Sequence, residues 1–179
     1  VDPGAIPSRT AWRVGQSLAE QILDREKKST GKLPESIAIV IYAGDTMKTC
    51  GDDLGEVLYL MGVRPVWLSN TDRVIGLEVI PLTELGRPRI DVTLRISGLF
   101  RDTFPNLIER IEDAVNLVAA LDEPRERNYL RKHIDEEVAQ MRTEGMADDQ
   151  AFERASARIF GCPPGTYGAG VDLLINSRK

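Results

Sequence analysis

The chain has 179 residues, 42% of them hydrophobic, which is the composition of a soluble globular protein able to build a core. Its formal net charge of −5, without a basic stripe interleaved with aromatic residues, argues against nucleic acid as a partner. The longest apolar run, IAIVIYA at 37–43, is too short to span a bilayer, and two cysteines far apart in sequence favour a reduced, cytoplasmic setting.

A helix and a β-α-β unit are predicted first. Ser8 precedes a helical pattern that Gly31 ends, and its apolar residues share one face: Ala11, Val14, Leu18 and Ile22. The β-branched run at 36–42 is typical of a strand covered on both faces. After a polar loop comes a helix that ends at Gly62, with its apolar residues in register: Leu54, Val57, Leu58 and Met61. The strand at 63–68 completes a right-handed unit of a parallel sheet.

The middle of the chain predicts two more strands and a long helix. Residues 73–82 alternate in polarity and contain a glycine and a proline, which favours an edge strand or a hairpin arm. Residues 90–97 again have a strand pattern. A helix follows from residue 103, with Asp102 or Thr103 as its cap and Pro105 in its first turn, where a missing N–H is tolerated.

The last part of the chain is predicted to be helical. A charged helix over 122–145 precedes another that Asp148 or Asp149 caps and Gly161 ends, with Phe152, Ala155 and Ile159 facing inward. A Pro/Gly-rich loop at 162–170 and a short helix at 171–177 follow. We therefore predict an α/β fold with a Rossmann-like layered, mostly parallel sheet over residues 1–122 and a helical extension over 123–179. The start without Met and the abrupt end suggest a piece of a longer polypeptide.

The sequence lacks the motifs of several familiar enzyme classes and metal sites. The segment TGKLP at 30–34 lacks the first glycine and the hydroxyl residue of a P-loop, and no GxSxG or GxGxxG pattern occurs. One histidine and two separated cysteines leave no metal site to predict. That histidine, His133, lies on the charged helix, where a solvated or capping role competes with metal binding or proton transfer. Four aromatic residues are predicted to be core: Trp12, Trp67, Phe104 and Phe160.

Two loops at strand ends are candidates for binding. In the loop at 44–53, hydroxyl groups, Lys48 and the N–H groups of the next helix can hold an anion. The alternative is a plain connector in which Asp52 or Asp53 caps that helix. The segment 97–102 lies at a strand's carboxyl end, where open α/β sheets bind ligands. Here the alternative is a local ion pair between Arg101 and Asp102, with Asp102 as a helix cap.

A third candidate is the Pro/Gly-rich loop at 163–170. Glycines follow Tyr167 closely, so that backbone or ring can approach a ligand. Most loops of this composition are connectors, and that alternative stays open.

Four strings, in chain order, resemble the large porphyrin-binding subunit of metal chelatases. They are DTMKTCGDDLGEVLYLMGVRPVW, LEVIPLTELGRPRIDVTLRISGLFRDTFPNLI, LDEPRERNYLRKH and RIFGCPPGTYGAGV. The family comprises the CobN subunit of aerobic cobaltochelatase and the H subunit of magnesium chelatase. The resemblance implies insertion of Co²⁺ as the substrate ion into hydrogenobyrinic acid a,c-diamide, a corrin precursor. ATP with Mg²⁺ would be hydrolysed on AAA+ partner subunits, which act with integrin-I-type subunits.

The ring that the resemblance implies carries several carboxylates, which suit cationic and hydroxyl groups at strand ends and helix amino ends. Those predicted to bind substrate are Thr46, Lys48, Thr49, Ser97, Gly98, Arg101, Tyr167 and Gly168. Candidates for catalytic proton transfer or ion delivery are Asp52, Asp53, Asp102 and His133. The alternatives are a magnesium chelatase H subunit acting on protoporphyrin IX, and a non-catalytic domain that binds an anion or contacts the AAA+ ring.

Overall fold

Two sheets and eight helices organise residues 2–165, the part of the chain that this computed structural model describes. The strands are β1 (Ser36–Ile41), β2 (Val63–Trp67), β3 (Val74–Val79), β4 (Asp91–Ile96) and β5 (Ile159–Phe160). The helices are α1 (Arg9–Thr30), α2 (Ala43–Thr49), α3 (Asp52–Met61), α4 (Leu82–Leu85), α5 (Gly98–Thr103), α6 (Pro105–Ala119), α7 (Tyr129–Thr143) and α8 (Asp148–Ser156). Sheet A is parallel in the order β1-β4-β5, and sheet B pairs β2 antiparallel with β3. The predicted α/β class with a mostly parallel sheet is confirmed.

Helix α1 begins and ends where the sequence predicts, but it buries a different face. Ser8 accepts a hydrogen bond from the Ala11 N–H at 3.1 Å, and Gly31 closes the helix with a φ of 78°. The residues turned inward are Ala11, Trp12, Gly15, Ala19 and Leu23, whereas Val14 and Ile22 of the predicted face are exposed.

The reason for this rotation is close helix packing. A Cβ atom on Gly15 would lie only 2.4 Å from the Glu56 backbone nitrogen and 2.6 Å from the Asp52 carbonyl oxygen. Glycine therefore lets the backbones of α1 and α3 approach, and α1 turns its small residues toward α3.

The predicted β-α-β unit at 36–68 is wrong. Strand β1 pairs in parallel with β4, while β2 pairs with β3, so that Val63 lies opposite Val79. Residues 68–73 connect β2 directly to β3, and a hairpin between chain neighbours forms more readily than a distant pairing. Pro65 also has no N–H to donate and suits a strand at a sheet edge. The hairpin arm predicted at 73–82 is confirmed.

Strand β1 is covered on one face only, contrary to prediction. Ile41 is buried, whereas Val40, which points to the other side, is 55% exposed. The buried side packs into a core that sheet A shares with α3, α6 and α7.

The helix predicted from residue 103 is α6, and a separate short helix, α5, precedes it. Ser97 accepts a hydrogen bond from the Phe100 N–H at 3.1 Å and so caps α5. The chain turns at Phe104, whose φ is −127°, and α6 then begins at Pro105 as predicted. The prediction that Asp102 or Thr103 caps the long helix is wrong, because Phe104 is the N-cap residue of α6 and no side chain caps that helix.

Three predictions for the last part of the chain need correction. The charged helix begins only at Tyr129, where Asn128 caps it by accepting from the Arg131 N–H at 3.0 Å. Helix α8 starts at Asp148 without a side-chain cap and ends at Ser156 rather than at Gly161. Ile159 pairs with Leu94 in sheet A, so it lies on a strand and not on a helix.

Of the four aromatic residues predicted to be core, Trp12 and Phe104 are buried and Trp67 is partly buried. Phe160 is 50% exposed, so that prediction is wrong. Within residues 2–165 no helix is long and apolar enough to cross a membrane. The helix predicted at 171–177 lies outside the described residues, and the division into residues 1–122 and 123–179 stays a prediction.

Candidate functional site

The carboxyl edge of sheet A brings two of the predicted loops together. Helix α2 follows β1 and helix α5 follows β4 at this edge, and the two helices contact each other. The Ser97 N–H also donates to the Ile41 carbonyl at 3.1 Å, which fixes the two strand ends side by side. The candidate segments 44–53 and 97–102 thus share one edge, as parallel strands require.

The segment at 44–53 is not a loop but helix α2 with a tight turn into α3. Asp45 lies in the first turn and Lys48 in the last, where each complements the helix dipole. Cys50 and Gly51 both adopt left-handed backbone conformations in the turn. Gly51 is the N-cap residue of α3, so the prediction of an Asp52 or Asp53 cap is wrong.

The threonine side chains in this segment bind the protein itself. Thr46 is fully buried, and its hydroxyl donates to Asp53 Oδ2 at 2.6 Å. Thr49 Oγ1 accepts from the backbone N–H groups of Gly51 and Asp52 at 3.2 Å. Lys48 is exposed and presents its charge to solvent. Of the three residues predicted here to bind substrate, Lys48 and Thr49 are exposed and Thr46 is buried.

Carboxylates occupy the amino end of α3. Asp52 and Asp53 both lie in its first turn, where they complement the helix dipole. Burial raises the pKa of Asp53, and the hydrogen bond from Thr46 partly opposes that shift. Asp52 and Asp53 would repel an added anion. This helix end is therefore suited to accept a proton or bind a cation rather than to bind a carboxylate.

Glu56, one turn further along α3, is a buried acid that the sequence analysis did not single out. Its residue is only 8% exposed, and within the described residues Oε1 has no hydrogen-bond partner. Burial, followed by the charges of Asp52 and Asp53, raises the pKa of Glu56 to about 7. The sequence sign of this burial is that Glu56 lies between Gly55 and Val57, within the apolar pattern of α3.

The segment 97–102 holds the third candidate loop in place. The Arg101 Nη1 donates to the carbonyl oxygens of Cys162 and Pro163, at 2.5 and 2.8 Å. Its Nε lies 2.7 Å from Asp102 Oδ1, so the guanidinium and carboxylate form the local ion pair. Gly98 is buried at the start of α5. Residues 163–165, the described part of the third candidate segment, therefore also lie at the carboxyl edge, whereas Tyr167 and Gly168 lie outside the described residues.

Two apolar side chains at this edge are exposed. Tyr42, directly after β1, is 56% exposed, and Leu99 in α5 is 51% exposed. The edge thus offers apolar contact area, the cation of Lys48 and the carboxylates of Asp52 and Asp102.

His133 lies at the opposite, amino edge of sheet A. Its Nδ1 is 2.8 Å from Asp91 Oδ2, and its Nε2 is 3.2 Å from Glu35 Oε2. Asp91 also accepts from Arg158 Nε at 2.6 Å. The expectation of a solvated or capping histidine is wrong, because His133 lies between two carboxylates. Since Asp91 and Ile96 are five residues apart on β4, about 16 Å separates this cluster from the carboxyl edge.

The described residues contain no group of three or more His, Cys, Asp or Glu side chains that could hold a metal ion. Both cysteines are free thiols.

Comparisons with known proteins relate the chain to one family. A family model described as CobN/Magnesium Chelatase matches residues 1–179. The chain is 43% identical over 178 residues to the aerobic cobaltochelatase subunit CobN of Pseudomonas aeruginosa, covering 99% of the chain and 14% of that protein. It is 39% identical over 178 residues to the magnesium-chelatase subunit ChlH of rice, covering 99% of the chain and 12% of that protein.

A solved structure has the same fold. The catalytic subunit of cobaltochelatase from Mycobacterium tuberculosis is 49% identical and superposes with a TM-score of 0.88, covering 100% of the chain and 15% of that subunit. The chain thus spans about one seventh of the length of these relatives. With the family model matched over its full length and these identities, the chain belongs to the CobN/magnesium chelatase family.

Proposed function

We propose that this chain is the part of a cobaltochelatase large subunit whose sheet A carboxyl edge contacts the tetrapyrrole. The subunit would insert Co²⁺ into hydrogenobyrinic acid a,c-diamide during cobalamin biosynthesis, in the cytoplasm. AAA+ and integrin-I-type partner subunits would supply ATP hydrolysis. The observation that carries the proposal is the meeting of segments 44–53, 97–102 and 162–165 at one edge.

The chemistry of metal insertion fits the groups at this edge. A macrocycle must be held by its faces and its peripheral carboxylates, which suits Tyr42, Leu99 and Lys48. Its two inner nitrogens must lose protons, which requires acceptors with pKa values near neutrality. Burial moves the pKa of Asp53 in that direction. Asp52 and Asp102 offer further carboxylates to a hydrated cation before it enters the ring.

Arg101 contributes to this edge as a positioning residue. Its guanidinium holds the carbonyl groups of Cys162 and Pro163 and pairs with Asp102. In this proposal Arg101 fixes the Pro/Gly-rich segment against α5, and Lys48 is the group that faces the ring carboxylates. Ser97 acts through its cap on α5.

A magnesium chelatase H subunit is the second candidate, because the rice ChlH protein is 39% identical to this chain. We place cobalt first because the solved structure that matches the chain at 49% identity is a cobaltochelatase subunit. A purely structural role is the third candidate, since Thr46, Thr49 and Arg101 all make contacts within the protein.

The experiment that separates the first two candidates uses the full-length large subunit carrying this segment, with its partner subunits and ATP. Insertion is followed by the change in ring absorbance, with Co²⁺ and hydrogenobyrinic acid a,c-diamide in one reaction and Mg²⁺ and protoporphyrin IX in the other. We expect ATP-dependent insertion in the cobalt reaction only. Insertion of Mg²⁺ into protoporphyrin IX would establish the second candidate instead.

A further inference from the structure

We infer that the face of sheet A that residues 2–165 leave uncovered is a docking surface for an α-helix from another part of the same large subunit. This open face consists of Ala38 and Val40 on β1, Thr93 and Arg95 on β4, and Phe160 on β5. The inference rests on the proposed function only in that the chain works inside a large subunit. It concerns a different surface from the carboxyl edge.

Strand alternation places these residues on one side of the sheet. Val40 pairs with Arg95, which pairs with Phe160, and Ala38 pairs with Thr93 in the next row. Their neighbours on the other side, including Ile41 and Leu94, are buried in the core. On the open face, Val40 is 55% and Phe160 is 50% exposed, and Arg95 is exposed between them.

A parallel sheet with one bare face lacks a layer. Parallel sheets occur with both faces covered, because the strands are apolar on both sides. β1 shows this pattern in its sequence, SIAIVI, yet the described residues cover only one side of it. The relatives have about seven times the length of this chain, so their remaining chain can supply the missing layer.

The dimensions and charge of the open face select one helix as its occupant. Two strand spacings separate Val40 from Phe160, about 10 Å, which is the diameter of one helix with its side chains. Arg95 lies in the middle of the row, and its guanidinium contacts Cys162 Sγ at 3.4 Å. Within residues 2–165 no carboxylate pairs with Arg95. The occupant is therefore a helix with an apolar stripe and an acidic residue that meets Arg95.

Cysteine labelling of the full-length subunit tests this assignment. Val40→Cys and Phe160→Cys are compared with the matched control Ile75→Cys, an apolar residue 59% exposed on β3. Labelling by a charged maleimide is measured by peptide-resolved mass spectrometry, natively and in urea, so that each site has its own fully accessible reference. We expect native labelling at positions 40 and 160 to be at least about tenfold slower than in urea, with or without hydrogenobyrinic acid a,c-diamide.

Two further readouts identify the occupant. Arg95→Glu should speed native labelling of Val40→Cys, whereas Arg95→Lys should leave it slow. A benzophenone amino acid at position 40 should cross-link to a helical peptide of the same subunit that contains Asp or Glu. Fast native labelling overturns the inference, and so does shielding that requires the ring, a cross-link to a partner subunit or a cross-link to residues 166–179. None of these readouts depends on which metal is inserted, so they do not fail when the proposed function fails.

Discussion

Replacing Arg89 by alanine is expected to lower the free energy of unfolding by about 3–5 kcal/mol, since it breaks a buried ion pair from one side. Arg89 is fully buried, and its guanidinium forms a bidentate pair with Glu123 at 2.7 and 2.9 Å. It also donates to the carbonyl groups of Gly62 and Ile80 at 2.7 and 2.9 Å. Alanine would leave a largely buried carboxylate and these carbonyl groups without their partner.

Equilibrium urea unfolding of the 179-residue chain measures this effect. The matched control is Arg125→Ala, which removes an arginine that is 55% exposed and lies 3.5 Å from Asp135. An exposed pair of this kind contributes at most about 1 kcal/mol. Arg89→Lys should fall between the two, because lysine keeps the charge but loses the bidentate geometry. Equal urea midpoints for Arg89→Ala and Arg125→Ala would show that the buried network does not stabilise the fold.

The second large effect is a pH dependence that Glu56 imposes on stability. Burial raises the pKa of Glu56 from the ordinary value of 4.5 to about 7 in the folded chain. The folded state thus binds this proton more tightly than the unfolded state. The resulting stabilisation is complete below pH 4.5 and is lost as the pH rises through 7. A shift of this size corresponds to a loss of up to about 3 kcal/mol.

Glutamine at position 56 stays neutral at every pH and should not show this loss. We expect the stability of Glu56→Gln relative to the unsubstituted chain to rise by about 2–3 kcal/mol between pH 5 and pH 8, measured by chemical denaturation. Glu109→Gln, at an exposed position on α6, is the control and should differ by less than about 0.5 kcal/mol at each pH. If the two variants have the same pH profile, Glu56 is not the group that titrates.

Local rules predicted the ends of several elements from the sequence. Ser8 and Gly31 bound α1, and Pro105 opens α6, because capping and proline geometry depend only on near neighbours. The strands at 36–42 and 90–97 were also predictable from their apolar runs. What periodicity could not supply was the partner of each strand, so β2 was assigned to the wrong sheet.

In the candidate site too, local patterns predict where segments lie but not what individual side chains contact. The meeting of segments 44–53 and 97–102 follows from parallel strands, and it was predictable in outline. The roles of individual side chains depend on contacts distant in sequence. Arg101 reaches Cys162, and His133 reaches Glu35 and Asp91, which no local pattern contains. Glu56 is buried because Gly15 lets α1 approach α3, a packing effect that is invisible in either helix alone.

The most direct test of whether the carboxyl edge of sheet A contacts the tetrapyrrole is a binding measurement on the full-length large subunit. Ring affinity is compared with and without the positive charge at Lys48. Lys48→Glu reverses the charge of an exposed residue at this edge, and Lys28→Glu does the same on the distant, exposed end of α1. Titration with hydrogenobyrinic acid a,c-diamide at low ionic strength should show at least about tenfold weaker binding for Lys48→Glu, a difference that shrinks as salt is added. The Lys28→Glu subunit should bind like the unsubstituted one, and both variants should keep a normal unfolding transition. Equal affinity of Lys48→Glu and the unsubstituted subunit at low salt would contradict ring contact at this edge.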